Sequence, residues 1–171
     1  RFQYGMPPSN NANFAYMQHM IHHTTDDGMV GTVMANGSMS VQGVEGDIRE
    51  EIIEDDLLDA VISLPKELFF TTSIPVCLWI MSLDKEGDEY RDRSGETLFV
   101  DARGMYEEID RTQNTLTNEH IEEIADTVRA YRCEEGVGEH EDQTGFGPVE
   151  TTHEHAANQD LIPPGRSVGI R

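Results

Sequence analysis

Positive charge is scarce in this sequence. Lysine and arginine together number 12 against 33 aspartates and glutamates, a formal net charge of −21 over 171 residues. The shortage leaves no broad basic patch of the kind by which nucleic-acid binding normally shows itself. It also lies far outside the net charge of about 2–8 that suits a small domain. Cysteine is nearly absent: Cys77 and Cys133 stand far apart, in no CxxC or other metal-type spacing. Free thiols in a reducing cytoplasm are therefore expected. Aromatic residues make up 7% and hydrophobic residues 37%, so the core is small or part of the chain stays extended. No apolar run reaches bilayer length and no signal peptide is recognised, so no membrane association is expected. The chain opens on Arg1 rather than a methionine, which reads as a fragment or a processed piece.

What is abundant is acid, and its distribution matters more than its amount. The carboxylates run from Asp26 to Asp160 and are not gathered in a tail. Apolar runs such as Ile74–Leu83 argue against disorder. A surface adapted to molar salt fits best, because the Debye length there falls to about 3 Å and self-repulsion almost disappears. A halophilic source is the resulting expectation.

At this length one compact domain is expected. Residues 1–11 hold Gly5, Pro7, Pro8 and Ser9 and read as an irregular lead-in. Asn11 or Asn13 is then expected to cap a helix to about His23, with Phe14, Met17 and Ile21 on one stripe. Met29–Ala35 reads as a buried strand, followed by an Asn36-Gly37-Ser38 turn and a loop over Ser40–Gly46. Asp47 is expected to cap a second helix through Asp55, with Ile48, Ile52 and Ile53 inward. Leu58–Leu64 and Ile74–Leu83 read as strands, and continuous apolar runs of this type suit strands covered on both faces. A short strand over Thr97–Asp101 and an amphipathic helix using Ile121, Ile124, Ala125, Val128 and Tyr131 come next, capped within Thr115–Asn118. Beyond Cys133 no periodicity remains, and a linker with an extended end is expected. The order helix, strand, helix, strand, strand is the tail of an open α/β sheet.

Several blocks, in order, resemble one family. Arg1-Phe2-Gln3-Tyr4-Gly5 with Pro7-Pro8, then Asn11-Ala12-Asn13-Phe14-Ala15 and Gln18-His19-Met20-Ile21-His22-His23, form the first. Met34-Ala35-Asn36-Gly37-Ser38-Met39-Ser40 is the second. Leu64-Pro65, Leu68-Phe69-Phe70-Thr71-Thr72 and Ile74-Pro75-Val76-Cys77-Leu78-Trp79 make the third. Phe99-Val100-Asp101-Ala102-Arg103, Asp110-Arg111 and the helix from Asn118 to Arg132 continue the match. Pro164-Gly165-Arg166 with Val168-Gly169 closes it, with Ser167 where an aromatic is usual. Together these are similar to the modification (M) subunits of type I restriction-modification systems, DNA methyltransferases that act on adenine N6.

The resemblance implies a Rossmann-like class I methyltransferase sheet with an antiparallel final strand, then a helix and an irregular C-terminal tail. It implies that Ile74–Leu83 lies between the first two strands, antiparallel to both, and that the first strand has a bare edge. Residues 1–84 would be the distal half of the catalytic domain, 85–132 a charged turn, short strand and helix, and 133–171 a linker and tail. The cofactor implied is S-adenosylmethionine. Its glycine-rich loop and the Asn-Pro-Pro-Phe-type tetrapeptide lie upstream in the family and are not in this chain; Met6-Pro7-Pro8-Ser9 has the prolines alone. The fragment by itself is therefore expected to be inactive. DNA, a specificity subunit, a second M subunit and a restriction subunit are the partners implied.

The same resemblance places Phe69 against the extruded adenine, with Phe70 as runner-up because adjacent residues face apart and one should enter the core. Asn36, at the end of the first strand, is a second candidate for the target-base pocket, since ligands of open α/β sheets bind beyond the strands' carboxyl ends. An Asn-Gly turn is its bland alternative. Phe14 and Tyr16 border such a pocket or, for Phe14, pack in the core. Lys66 is the nearest basic residue, with Lys85, Arg91, Arg93 and Arg103 further on. His19, His22 and His23 share a helical face but no cysteine or carboxylate joins them, and His153 and His155 are as isolated, so no metal is expected. A hydrolase triad has no G-x-S-x-G support. Two other readings stay open: a catalytically inactive remnant or subunit-binding module, and an unrelated acidic α/β binding protein.

Overall fold

The computed structural model describes residues 1–87, 90–134 and 147–151. Its first helix, α1 (Asn13–His23), buries Phe14, Met17 and Ile21. Ala12 is the N-cap, without a side-chain cap. The Asn11 side chain instead accepts from the Asn13 backbone N–H, so neither asparagine caps the helix as expected. Strand β1 (Met29–Ala35) follows, and a short 3-10 helix spans Asn36–Met39.

Helix α2 (Val44–Glu54) starts ahead of Asp47. Gly43 is its N-cap and sits at φ 71, a left-handed conformation that costs glycine little. Asp47 lies in the first turn, where its charge favours the helix dipole rather than closing a cap. The buried Arg49 side chain donates to the carbonyls of Ser38 and Val41, fastening the preceding connection onto the helix.

Strands β2 (Leu58–Ser63), β3 (Val76–Ser82), β4 (Glu96–Asp101) and β7 (Val149–Thr151) complete a sheet of order β1-β3-β2-β4-β7. β3 runs antiparallel to both β1 and β2, in the place the sequence implied. β2 and β4 are parallel and β7 is antiparallel to β4, so two strands extend the sheet past β2. β7 falls inside the segment read as irregular; the tail from residue 152 onward, with the closing Pro164–Gly169 motif, His153 and His155, lies outside the described residues. A separate two-stranded ribbon pairs β5 (Glu107–Asp110) with β6 (Gln113–Thr115). Helix α3 (Asn118–Arg132) opens on Thr117, whose side chain accepts from His120 while the His120 ring takes the Thr117 N–H.

Two cores flank the sheet. On one face Phe14, Met17, Ile48 and Ile52 from α1 and α2 meet Val30, Met34, Trp79 and Met81. On the other, Val128 and Tyr131 of α3 meet Ala60, Ile62, Leu98 and Val100. α3 covers β2 and β4 but leaves β1 open: Met29, Gly31, Val33 and Ala35 alternate with the buried Val30 and Met34. β1 is thus half-buried, not the fully buried strand that its apolar run suggested. Among the described residues its only strand neighbour is β3, so its other edge is bare.

The surface charge carries a prediction. With a net −21, exposed carboxylates repel one another at low ionic strength. The thermal unfolding midpoint is expected to rise by several degrees between about 0.1 M and about 2 M potassium chloride, as the screening length shrinks. An unchanged midpoint over that range would sink the halophilic reading.

Candidate functional site

Three carboxyl strand ends and one amino end converge at one edge of the fold. Ala35 pairs with Val76, Ser63 with Cys77, and Ser63 with Asp101. Asn36 leaves β1 here, residues 64–75 bridge β2 to β3, and Asp101 ends β4. In open α/β sheets this end is where ligands bind.

The bridging loop carries the two phenylalanines. Leu64 N–H donates to Val76 O at 2.9 Å, which closes the loop's base, and Pro65 is buried. At its tip Phe69 and Thr72 form a bridge, with Thr72 N–H donating to Phe69 O at 3.3 Å. Phe69 is 44% exposed and Phe70 94% exposed. The expectation that one of the pair would enter the core fails. The tight Phe69–Thr72 turn lifts both rings off the sheet. The aromatic surface they leave in water at the loop tip contributes nothing to the core.

Asn36 opens the 3-10 helix and donates its backbone N–H to Pro75 O at 3.0 Å, linking the end of β1 to the end of the loop. Gly37 is not in the left-handed region, so the bland Asn-Gly turn is not what forms. The Asn36 Oδ1 atom is buried and finds no hydrogen-bond partner among the described residues. A buried acceptor left unpaired is costly and uncommon. Below it, Cys77 Sγ takes the Trp79 Nε1–H at 3.3 Å and lies 3.6 Å from Ser38 Oγ. Burial pushes this thiol's pKa up, so Cys77 is a neutral floor rather than a nucleophile.

Gln113 and Asn114, which sequence reading passed over, close on the same loop. Gln113 Nε2 donates to Glu67 O at 3.2 Å and to Leu68 O at 3.1 Å. Asn114 gives its backbone N–H to Glu67 O at 2.8 Å and its Nδ2 to Lys66 O at 3.0 Å. Polar residues in a short exposed-looking stretch carry no periodic signal, and only the fold shows them buried.

Other candidates separate. Phe14 is in the core, edge-on to Trp79 with ring centroids 6.3 Å apart, whereas Tyr16 is exposed. Lys85, Arg91 and Arg93 sit at the opposite end of the sheet and serve the fold: Lys85 bonds Leu58 O and Glu96 O, and Arg93 is paired with Asp59. Lys66, on the loop, is largely exposed, and Arg103, just past the end of β4, is paired with Asp101. The His19 and His23 rings are 4.2 Å apart, and desolvation, then His23, lower the His19 pKa. Among the described residues no group of three or more metal-type ligands is found, and no helix is long and apolar enough to cross a membrane.

The α/β sheet has the antiparallel inserted strand that the family resemblance implied, and comparison with known proteins agrees on the fold. The family model for the N-6 DNA methylase matches residues 1–169. The MjaIX type I restriction enzyme methylase subunit of Methanocaldococcus jannaschii is 42% identical over 169 residues, 97% of this chain and 29% of that protein. The HindI methylase subunit of Haemophilus influenzae is 42% identical over 170 residues, 99% of this chain and 36% of that one. The crystal structure of a type I restriction-modification methyltransferase subunit from Streptococcus thermophilus superposes with a TM-score of 0.82 at 27% identity, covering 98% of this chain and 32% of that one. The chain belongs to the N-6 DNA methylase family and has its Rossmann-like methyltransferase fold. It spans about a third of the length of these curated relatives.

Proposed function

We propose that this chain forms the target-base side of an S-adenosylmethionine-dependent methyltransferase that modifies adenine N6 in DNA, as part of a type I restriction-modification complex. The observation that carries the reading is the Phe69 ring, 44% exposed at the carboxyl end of the sheet, in a chain of this family. A base cannot be methylated on its exocyclic amine inside the duplex stack, so it must be extruded and received by a face. Phe69 supplies that face, and a base–aromatic stack contributes about 1–3 kcal/mol. Phe70, further out, is the alternative. Asn36, whose buried Oδ1 is unpaired among the described residues, stands at the same end as the second candidate for the base pocket.

The methyl donor is S-adenosylmethionine, which supplies an electrophilic methyl group when bound. The residues described here do not fit it by themselves. β1 runs into a four-residue 3-10 helix and not into a glycine-cradled helix N-terminus. The donor's main site is accordingly assigned to the part of the methylase that lies outside these residues.

DNA, a specificity subunit, a second M subunit and a restriction subunit are the proposed partners. Lysine and arginine are scarce in the chain, which suits binding in concentrated salt, where counterion release drives association weakly. The test is product analysis. The complete methylase, assembled with its specificity subunit and supplied with labelled S-adenosylmethionine, is expected to leave N6-methyladenine in DNA. Label recovered only in cytosine would contradict the assignment, and an intact complex that transfers none would favour an inactive subunit-binding module.

A further inference from the structure

We propose that Gln113 and Asn114 are positioning residues that set the direction of Phe69, a role that rests on the target-base reading above. The β5–β6 ribbon stands apart from the main sheet, and two-stranded ribbons are marginal on their own. β5 is exposed along its whole length. Gln113 and Asn114 of β6 are buried all the same, at 8% and 3% exposure, and the loop from β2 to β3 is what they meet.

Their donors reach three successive carbonyls. Asn114 Nδ2 holds Lys66 O, the Asn114 backbone and Gln113 Nε2 hold Glu67 O, and Gln113 Nε2 also holds Leu68 O. Gln113 Nε2 lies 3.0 Å from Asn114 O as well. Between these bonds Glu67 adopts φ 60, a left-handed conformation that side-chain-bearing residues seldom take. Such a conformation persists where its surroundings over-determine it. The next residue but one is Phe69, whose own carbonyl is held from the other side by Thr72 N–H. The backbone that carries the ring is therefore fixed on both flanks, and the carbonyls that fix it would otherwise point into the loop unpaired. A receiving face is useful only when its direction is set before the base arrives, since small misplacements of reacting partners are costly.

Two variants of the complete methylase test this. Gln113→Met keeps length and bulk but removes the Nε2 donors, and Asn114→Ala removes Nδ2 while leaving the backbone donor. In the double variant, amide hydrogen exchange over residues 65–73 is expected to speed up while exchange in β2 and β3 stays as in the parent. With 2-aminopurine as the target base, the extrusion signal should weaken, and kcat should fall on the order of 10- to 100-fold with S-adenosylmethionine affinity unchanged. Unchanged exchange over 65–73 would overturn the proposal, as would faster exchange throughout β2 and β3, which would make the pair serve the fold at large. So would a loosened loop with base extrusion and kcat intact. Phe69→Ala run beside them keeps the two readings apart: if it leaves the extrusion signal intact, the target-base role of Phe69 fails, while the exchange result still decides whether Gln113 and Asn114 hold the loop.

Discussion

Asp59→Ala is expected to lower unfolding free energy by about 3–5 kcal/mol, the usual result of removing one partner from a buried ion pair. Asp59 is fully buried in β2. Its Oδ1 accepts from Arg93 Nε at 2.9 Å, and its Oδ2 from Arg132 Nη2 at 2.8 Å and Nε at 3.2 Å. Arg93 is 1% exposed and Arg132 9% exposed. The carboxylate thus ties the start of β2 to the last turn of α3 and to the segment before β4. Alanine would leave two buried guanidinium groups without their counter-charge. The Tyr90 ring lies 5.4 Å from each guanidinium and softens that loss only in part. Urea unfolding measures the difference, and added salt should not restore it, because screening acts weakly on buried pairs. A cost below about 1 kcal/mol would match an exposed pair and contradict this account.

Trp79→Ala should be comparably damaging, at about 3–5 kcal/mol, from lost burial and the cavity left behind. Trp79 is fully buried at the centre of β3, with Phe14 of α1 edge-on at 6.3 Å. Its Nε1 also donates to Cys77 Sγ, beneath the end of the sheet that bears Asn36. The loss should therefore register twice, as a lower unfolding midpoint and as looser packing under the site. Trp79→Phe keeps most of the apolar contact and should cost clearly less. Equal losses for the two substitutions would mean that the indole N–H, and not the packing, dominates.

The apolar strands and helices were legible because their signal is periodic. Val76–Ser82 is one continuous run, and its antiparallel position between the first two strands followed from the family resemblance. Polar elements were not legible: Gln113–Thr115 and Val149–Thr151 pair as strands with no alternation that sequence could display. Charge misled in the same way. Lys85 and Arg93 read as part of a charged turn, yet both are buried where Asp56 and Asp59 receive them. The one available sign was Asp59 itself, a carboxylate inside the apolar run Leu57–Ile62. The role proposed for Phe69 came only from resemblance. Residue chemistry alone favoured placing one ring of the pair in the core, and the turn at Phe69–Thr72 overrides that preference. Asn36 was legible as a strand-end residue, but its unpaired Oδ1 appears only in the folded chain.

The central claim is that this part of the methylase receives the base and does not hold the methyl donor. Phe69→Ala in the complete methylase tests it most directly, with base extrusion followed by 2-aminopurine fluorescence and S-adenosylmethionine affinity by titration calorimetry. Loss of one stack predicts base binding weaker by about 5- to 150-fold, with donor affinity unchanged. Donor affinity lost while base extrusion stays intact would contradict the claim.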